Sequence, residues 1–181
     1  MAKWAAIARR IRVPVGFAFA ALYLWLAKPS VTSMCAGSVL IITGLAIRAA
    51  ASGHVRKNEQ LTTSGPYAHI RHPLYLGSLV MAAGFSLAAR SWWIALITVL
   101  IFVTIYVPVM LAEETFLRQH FPQFEDYSRA VPRLWPRLTS FSSGGGSFSG
   151  RLYCQHREYN ALIGSVAILA ALAFKMLRNS N

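Results

Sequence analysis

The stretch Ser64 to Gly77, SGPYAHIRHPLYLG, sets two histidines, an arginine, two prolines and two tyrosines directly against an apolar run that continues to Ala89. Gly65-Pro66 is a strong turn signal. Pro73 suits the first turn of a helix, where its missing N–H would have been unpaired in any case. The stretch therefore predicts a chain that folds back on itself and then starts a helix at His72-Pro73, with polar groups crowded at the mouth of an apolar span.

Four further apolar segments lie around it, so that the spans predicted are roughly 14–27, 31–51, 74–89, 92–112 and 160–177. A hydrocarbon core of ~30 Å needs about 20 helical residues. The second and fourth meet this comfortably; the first and third are short and borrow interfacial residues such as Trp25, Tyr75 and Trp92. With 55% hydrophobic and only 13% charged residues over 181 positions, the composition excludes an ordinary soluble domain. The expected fold class is all-α, a polytopic membrane helix bundle of about five transmembrane helices in a single domain.

Lys and Arg number 18 against six acids. Such an excess suits nucleic acid or the inner face of a membrane, and distribution decides between them. Lys3, Arg9, Arg10 and Arg12 precede the first span; Arg48, Arg56, Lys57 and Arg71 lie between the second and third; Arg118, Arg129, Arg133, Arg137, Arg151 and Arg157 lie between the fourth and fifth. The other side receives only Lys28, Arg90, Lys175 and Arg178. The positive-inside rule then places the N-terminus in the cytoplasm and the C-terminus outside, in a bacterial inner membrane or an endomembrane, with no nucleic-acid partner. The basic start followed by an apolar run imitates a secretory signal, but no small-x-small site follows near Lys28-Pro29, so an uncleaved first helix is expected. Cys35 falls in a span and Cys154 in a basic segment, which argues against a disulfide between them.

Lys28-Pro29-Ser30 and Arg90-Ser91 leave room only for tight turns, so spans one and two, and three and four, are read as antiparallel hairpins. The two long connections, and with them the chemistry, fall on the cytoplasmic side. In the second, Phe116, Leu117, Phe121 and Phe124 form an apolar stripe interrupted at Pro122, suited to lying along headgroups. Ser140 to Gly150 is low-complexity and reads as a mobile tether without a chemical role.

Two constellations stand out. The helix start at His72-Pro73 turns free N–H groups towards the cytoplasmic mouth, where Arg71, His69, Tyr67 and Tyr75 add side-chain donors, a set suited to a carboxylate or phosphate. The competing interpretation is an interfacial belt that merely anchors the helix. Glu113-Glu114, two of the six acids, abut the fourth span. Adjacent carboxylates at a helix end face the negative pole of its dipole and each other, so a partner is required. Either Glu114 pairs with Arg118 one turn on, or a cationic ligand or an Arg or His of the first connection meets the pair. Tyr127, Arg133 and Trp135 follow, with Pro132 and Pro136 breaking any helix, and headgroup contact accounts for them equally well. His54, His120 and His156 lack an HxxxH or CxxC companion, so no metal site is expected, and Lys57-Asn58 reads as a solvated loop pair.

Taken together, "LTTSGPYAHIRHPLYLG" and, one hairpin later, "EETFLRQHFPQFEDYSRAVPRLWP" resemble the isoprenylcysteine carboxyl methyltransferase and phospholipid methyltransferase superfamily of integral-membrane enzymes. The resemblance rests on Gly65-Pro66-Tyr67, Arg71-His72-Pro73 with Tyr75 and Gly77, Glu113-Glu114, and Phe124, Tyr127, Val131, Arg133 and Pro136, over about half of the chain. It implies S-adenosylmethionine as methyl donor in a cytoplasmic pocket and a lipophilic or lipid-anchored acceptor from the bilayer. It also implies cofactor binding by Tyr67, His72, Pro73, Tyr75, Leu76, Gly77, Glu113 and Glu114. Of the catalytic candidates, Arg133 or Arg71 would orient an acceptor carboxylate and Glu114 would take the proton of an acceptor amine. Isoprenylcysteine-like carboxylate, phospholipid amine and small thiol stay open as acceptors. A nicotinamide-dependent sterol reductase of distantly similar architecture and a non-enzymatic scaffold are the other readings, and the Ser/Gly tether lies outside the hallmark, leaving the fifth helix unplaced.

Overall fold

The computed structural model describes residues 2–56, 60–141 and 146–179; side chains 2–6, 8, 9, 12 and 13 also lie outside the description, as do the Lys57-Asn58 pair and the middle of the Ser/Gly segment. Every regular element among the described residues is helical. Helix α1 spans Ala2–Leu26 and α2 Val31–Ser52; a 3₁₀ turn, Gly65–Ala68, precedes α3, Pro73–Ala89. Helix α4, Trp92–Ile101, runs through a π-helical turn, Phe102–Tyr106, into α5, Val107–His120; α6 is Phe124–Ala130, α7 Gly150–Gln155 and α8 Tyr159–Arg178.

Among the described residues, three stretches are long and apolar enough to cross a membrane: α2, the continuous 29 residues from Trp92 to His120, and α8. Pro14–Leu26 and Pro73–Ala89 are apolar but shorter. Two boundaries differ from those read off the chain. Helix α1 begins at Ala2 and passes through Pro14, a residue tolerated when neighbouring helices cover the freed carbonyl. The fourth span does not stop at Ala112: its helix continues to His120, and at 1.5 Å per residue its last turns project beyond an apolar stretch that already fills ~30 Å.

Helices α2 and α3 pack against each other through small residues. A Cβ on Gly37 would stand 2.5 Å from the Gly84 carbonyl oxygen, and one on Gly44 would stand 2.6 Å from that of Gly77. Backbones this close gain dispersion and exclude lipid, the usual source of affinity between helices where no hydrophobic drive exists. At one end of this pair Ser30 and Ser33 form a capping box, Ser33 Oγ donates to the Ala88 carbonyl at 3.1 Å, and Arg90 closes the α3–α4 turn with φ of 49°.

Helix α8, unplaced by sequence, is fastened at both ends. Lys175 Nζ donates to the free C-terminal carbonyls of Leu24 and Trp25 in α1 at 2.6 and 2.9 Å, and Leu172 is buried beside Tyr23, Ala27 and Ala89. At its start Glu158 receives Arg48 of α2 in a bidentate pair, Nη2 to both oxygens at 2.8 Å and Nε to Oε2 at 3.0 Å.

The Ser/Gly segment is anchored over its far half, contrary to a free tether. Ser149 N donates to the Gly53 carbonyl at 2.9 Å, a His54 Nε2 contact reaches Gly146 O at 3.0 Å, and the Phe148 ring lies edge-on to His54. Most of the Phe stripe turns inward while Phe116 stays exposed: Phe124, Tyr127 and Val131 are buried with Leu61, Leu117 and Phe121 around them, a small extramembrane core of their own.

The tight α2–α3 contact predicts that Gly44→Leu lowers stability by about 1–3 kcal/mol through overpacking. Gly164→Leu on α8, where a Cβ meets nothing within 4 Å, should leave it unchanged. Thermal midpoints of the detergent-solubilised proteins, followed by size exclusion, compare the two.

Candidate functional site

Glu114 is the centre of the polar end of the bundle. It lies in the last turns of α5, beyond the apolar stretch, and its side chain is only 5% exposed. Oε1 accepts Arg71 Nη1 at 2.9 Å and His72 Nε2 at 3.0 Å, while Arg133 reaches Oε2 with Nε at 3.0 Å and Nη2 at 2.9 Å. The required partner of the acidic pair is therefore an Arg and a His from the first connection together with an Arg from the second. Arg118 turns away and pairs with Glu125 at 3.1 Å.

Local sequence brings these groups together. Gly65, at φ of +57°, reverses the chain into the 3₁₀ turn, and a Cβ there would collide with the His54 ring. His72 then caps α3 with Pro73 in the first helical position. After α6 the prolines hold the chain extended, so that its backbone lies along the same turn: Arg71 N donates to the Pro132 carbonyl at 2.9 Å, His72 N to Arg133 O at 3.1 Å and Arg137 N to His69 O at 3.0 Å. Tyr127 adds a buried hydroxyl on the Tyr67 carbonyl at 2.7 Å.

Burial alone would raise the Glu114 carboxyl, but hydrogen bonds from His72 and Arg133 and the charge of Arg71 outweigh it and hold the carboxyl at about 2. Burial draws Arg71 below its ordinary range, against the pull of Glu114. The hydrogen bond to Glu114 raises Arg133. Tyr67 and Tyr127 are pushed up chiefly by burial, so both stay protonated phenols at neutral pH.

Beside this cluster lies a cleft of about 140 Å³. Tyr67, Arg71, His72, Tyr75 and Glu113 give it a polar wall, and Leu61, Leu74, Phe116, Leu117 and Phe124 an apolar one. Glu113 is exposed and takes the Tyr75 hydroxyl at 3.1 Å. Tyr67 is 8% exposed, and its hydroxyl makes no hydrogen bond to any described residue. Arg71 Nε is buried and likewise without a partner among them. The cleft thus presents a carboxylate, a cation edge, a phenol and an apolar face to one space.

Of the residues singled out in the sequence, the structure brings Tyr67, Arg71, His72, Tyr75 and Glu113 to the cleft and puts Glu114 and Arg133 directly behind it. Pro73, Leu76 and Gly77 do not line it: Pro73 is buried in the first turn of α3, and Gly77 faces Gly44 and Arg48 of α2. Sequence reasoning missed Arg48, Glu158, Thr62 and Tyr106. Glu158 carried a usable signal, as one of six acids placed directly before an apolar run.

A family description, phospholipid methyltransferase, matches residues 15–123, from the first apolar stretch past the Glu pair. The chain belongs to the phospholipid methyltransferase family. Two curated relatives share part of it. The nickel-cobalt-cadmium resistance protein NccN of Alcaligenes xylosoxydans xylosoxydans is 40% identical over 88 residues, 49% of this chain and 41% of that one. The cobalt-zinc-cadmium resistance protein CzcN of Cupriavidus metallidurans is 38% identical over 86 residues, 48% of this chain and 40% of that one. The matched stretch thus spans about two fifths of these relatives' length. No solved structure matches. The Glu114 cluster bridges the two parts of this family member, because Arg71 and His72 fall inside the matched residues and Arg133 beyond them.

Glu114→Gln leaves two arginines without their buried counter-charge and should destabilise by about 3–5 kcal/mol. The wild-type carboxyl is held below its ordinary value of 4.5, so its contribution is complete above that pH and is lost as pH falls through about 2. Acid unfolding followed by circular dichroism should show this limb in the wild type and in Glu113→Gln, and lack it in Glu114→Gln.

Proposed function

We propose that the chain is a membrane methyltransferase that binds S-adenosylmethionine in the cleft beside Glu114 and methylates a lipophilic acceptor. The observation that carries this reading is the division of labour within the acidic pair. Glu114 is consumed by Arg71, His72 and Arg133, which leaves Glu113 and Tyr67 on the cleft with the Arg71 guanidinium in its wall, its Nε buried and without a partner among the described residues.

The donor set fits the cofactor's chemistry. Glu113, supported by Tyr75, would hold the ammonium; the Arg71 guanidinium and the Tyr67 hydroxyl would hold the carboxylate; Leu117, Phe116 and Phe124 offer an apolar face to the purine. When bound, the cofactor supplies a sulfonium-activated methyl group open to in-line displacement. At about 140 Å³ the cleft is smaller than the ~300 Å³ of typical ligand sites, so one wall must yield on loading. The protein's own share is alignment and exclusion of water, the two factors that such a displacement depends on most.

Acceptor chemistry divides by residue. Arg133, half exposed with its Nε and Nη2 on Glu114, keeps an outer edge for an acceptor carboxylate of the isoprenylcysteine type. For a phospholipid amine or a thiol, Glu114 is saturated and held at about 2, so it is a poor base for the acceptor's proton, which would pass to water at the cleft mouth. Basic residues concentrated on the connections that build the cleft support a cytoplasmic site, with the N-terminus inside and the C-terminus outside.

Calorimetric titration of the detergent-purified protein with S-adenosylhomocysteine tests the assignment. Saturable binding is expected, weakened at least ten-fold in Glu113→Ala and several-fold in Tyr67→Phe. Absence of binding, or saturable binding of NADPH in its place, would overturn it.

A further inference from the structure

Arg48 and Glu158 do not line the cleft, yet they form a bidentate pair with side chains only 22% and 12% exposed. Replacing such a pair by apolar residues of similar volume is often neutral or stabilising, so packing alone gives little reason to hold two charges where α2 meets α8. Ionisable groups at the edge of a span point to function instead. The pair also reaches further. Arg48 crosses α3 at Gly77, where a Cβ would stand 2.6 Å from Arg48 Cγ. Its Nη1 donates to Ser78 Oγ at 2.5 Å, and Ser78 Oγ donates to the Leu74 carbonyl at 2.9 Å. Leu74 and its neighbour Tyr75 wall the cleft.

The backbone before α8 is built to aim Glu158 at Arg48. Glu158 follows Arg157, whose φ of 54° lies in the left-handed region, costly for a residue with a side chain and kept only where the surroundings over-determine it. Here they do. Arg157 N and Glu158 N donate to the Cys154 and Tyr153 carbonyls at 3.0 and 3.3 Å, and His156 Nδ1 meets the Ser52 carbonyl at 3.2 Å, pinning the α7–α8 turn to the end of α2. Both charges are also felt at the phenol of the cleft: burial raises Tyr67 most, Glu113, Tyr127 and Glu158 add to the rise, and Arg48 opposes it.

We infer that Glu158 and Arg48 are positioning residues for the donor cleft: Glu158, at the head of α8, orients Arg48, and Arg48 acts through Ser78 to fix the first turns of α3, which carry Tyr75. This rests on the methyltransferase reading and adds to it a requirement for α8. Glu158 lies beyond the family match at 15–123, so the requirement belongs to the C-terminal part of the chain.

The physical reason lies in what the glycine contacts leave undetermined. Dispersion between Gly44 and Gly77 sets the spacing of α2 and α3 but is nearly indifferent to a small rotation of either helix. Hydrogen bonds weaken steeply off axis, and the guanidinium fork is planar and rigid, so Arg48 supplies the angular restraint. Without it, rotation of α3 would carry the Tyr75 hydroxyl away from Glu113, which it meets at 3.1 Å, and the group placed to hold the donor's ammonium would lose its support.

Fluorine NMR of the detergent-purified full chain labelled with 3-fluorotyrosine, its signals assigned by single tyrosine-to-phenylalanine variants, tests the proposal together with adenosylhomocysteine calorimetry and thermal midpoints. Ser78→Ala leaves the charged pair intact; it should move the Tyr75 signal, leave that of Tyr23 near the other end of α3 in place, and weaken adenosylhomocysteine binding about three-fold. Glu158→Gln should move the Tyr67 and Tyr75 signals and weaken binding about ten-fold. The exchange of Arg48→Glu with Glu158→Arg restores opposite charges, but a carboxylate at 48 only accepts and draws the Ser78 proton away from the Leu74 carbonyl. It should recover the thermal midpoint and not the affinity. A Tyr75 signal unmoved in both single variants, or an exchange that recovers affinity along with the midpoint, would overturn the positioning role and leave a structural brace. A Tyr75 signal that moves in a protein binding no adenosylhomocysteine would uphold the coupling of α8 to α3 and overturn the methyltransferase reading, which separates the two failures.

Discussion

Burying the Glu114 carboxylate is costly, and the cost is offset only while Arg71, His72 and Arg133 all face it at hydrogen-bond distance. Those three residues sit on two connections separated in sequence by a membrane hairpin. Satisfying one charge therefore sets the start of α3, the end of α5 and the course of the chain after α6. The backbone bonds of Arg71 and His72 to Pro132 and Arg133 follow the same path, so main chain and side chain enforce one arrangement. The cleft exists because this cluster forms its rear wall.

The rest of the bundle supplies a rigid frame for that cluster. Glycine contacts set the separation of α2 and α3, and Arg48 uses the space they leave to span from Glu158 to Ser78 and the Leu74 carbonyl. The C-terminal helix is thereby tied to the same turns of α3 that carry Tyr75. Lys175 ties its other end to α1, so α8 is held by charge at both ends and by packing in between.

Part of this was readable in the chain. Adjacent glutamates against an apolar span demanded a cation, and the histidine and arginine before Pro73 were the nearest unassigned candidates. The proline at 73 marked the helix start to the residue. Other features left no local trace. Nothing in the composition says which glutamate is buried, because that depends on a difference of one position in helical phase. Gly77, flanked by site residues, serves close packing instead, a distinction that needs the partner helix. Arg48 and Glu158 stand 110 positions apart with no periodicity to link them. The extended tail after α6 bonds through its backbone, which any sequence can do, so only its prolines announced it.

The π-helical turn at Phe102–Tyr106 has a further bearing on how the fourth span is read. One wide turn inserts an additional residue into the 3.6-residue repeat and rotates everything after it by about 100°. The helix consequently has two facial registers: residues before the turn and residues after it that share a heptad position do not share a direction. Tyr106, at the junction, belongs to the apolar interior, while Glu114, two turns on, meets the polar cluster. One further residue inserted inside 102–106 at helical pitch would act as a phase shift, carrying Glu113 into the inward position of Glu114 without altering the identity of either.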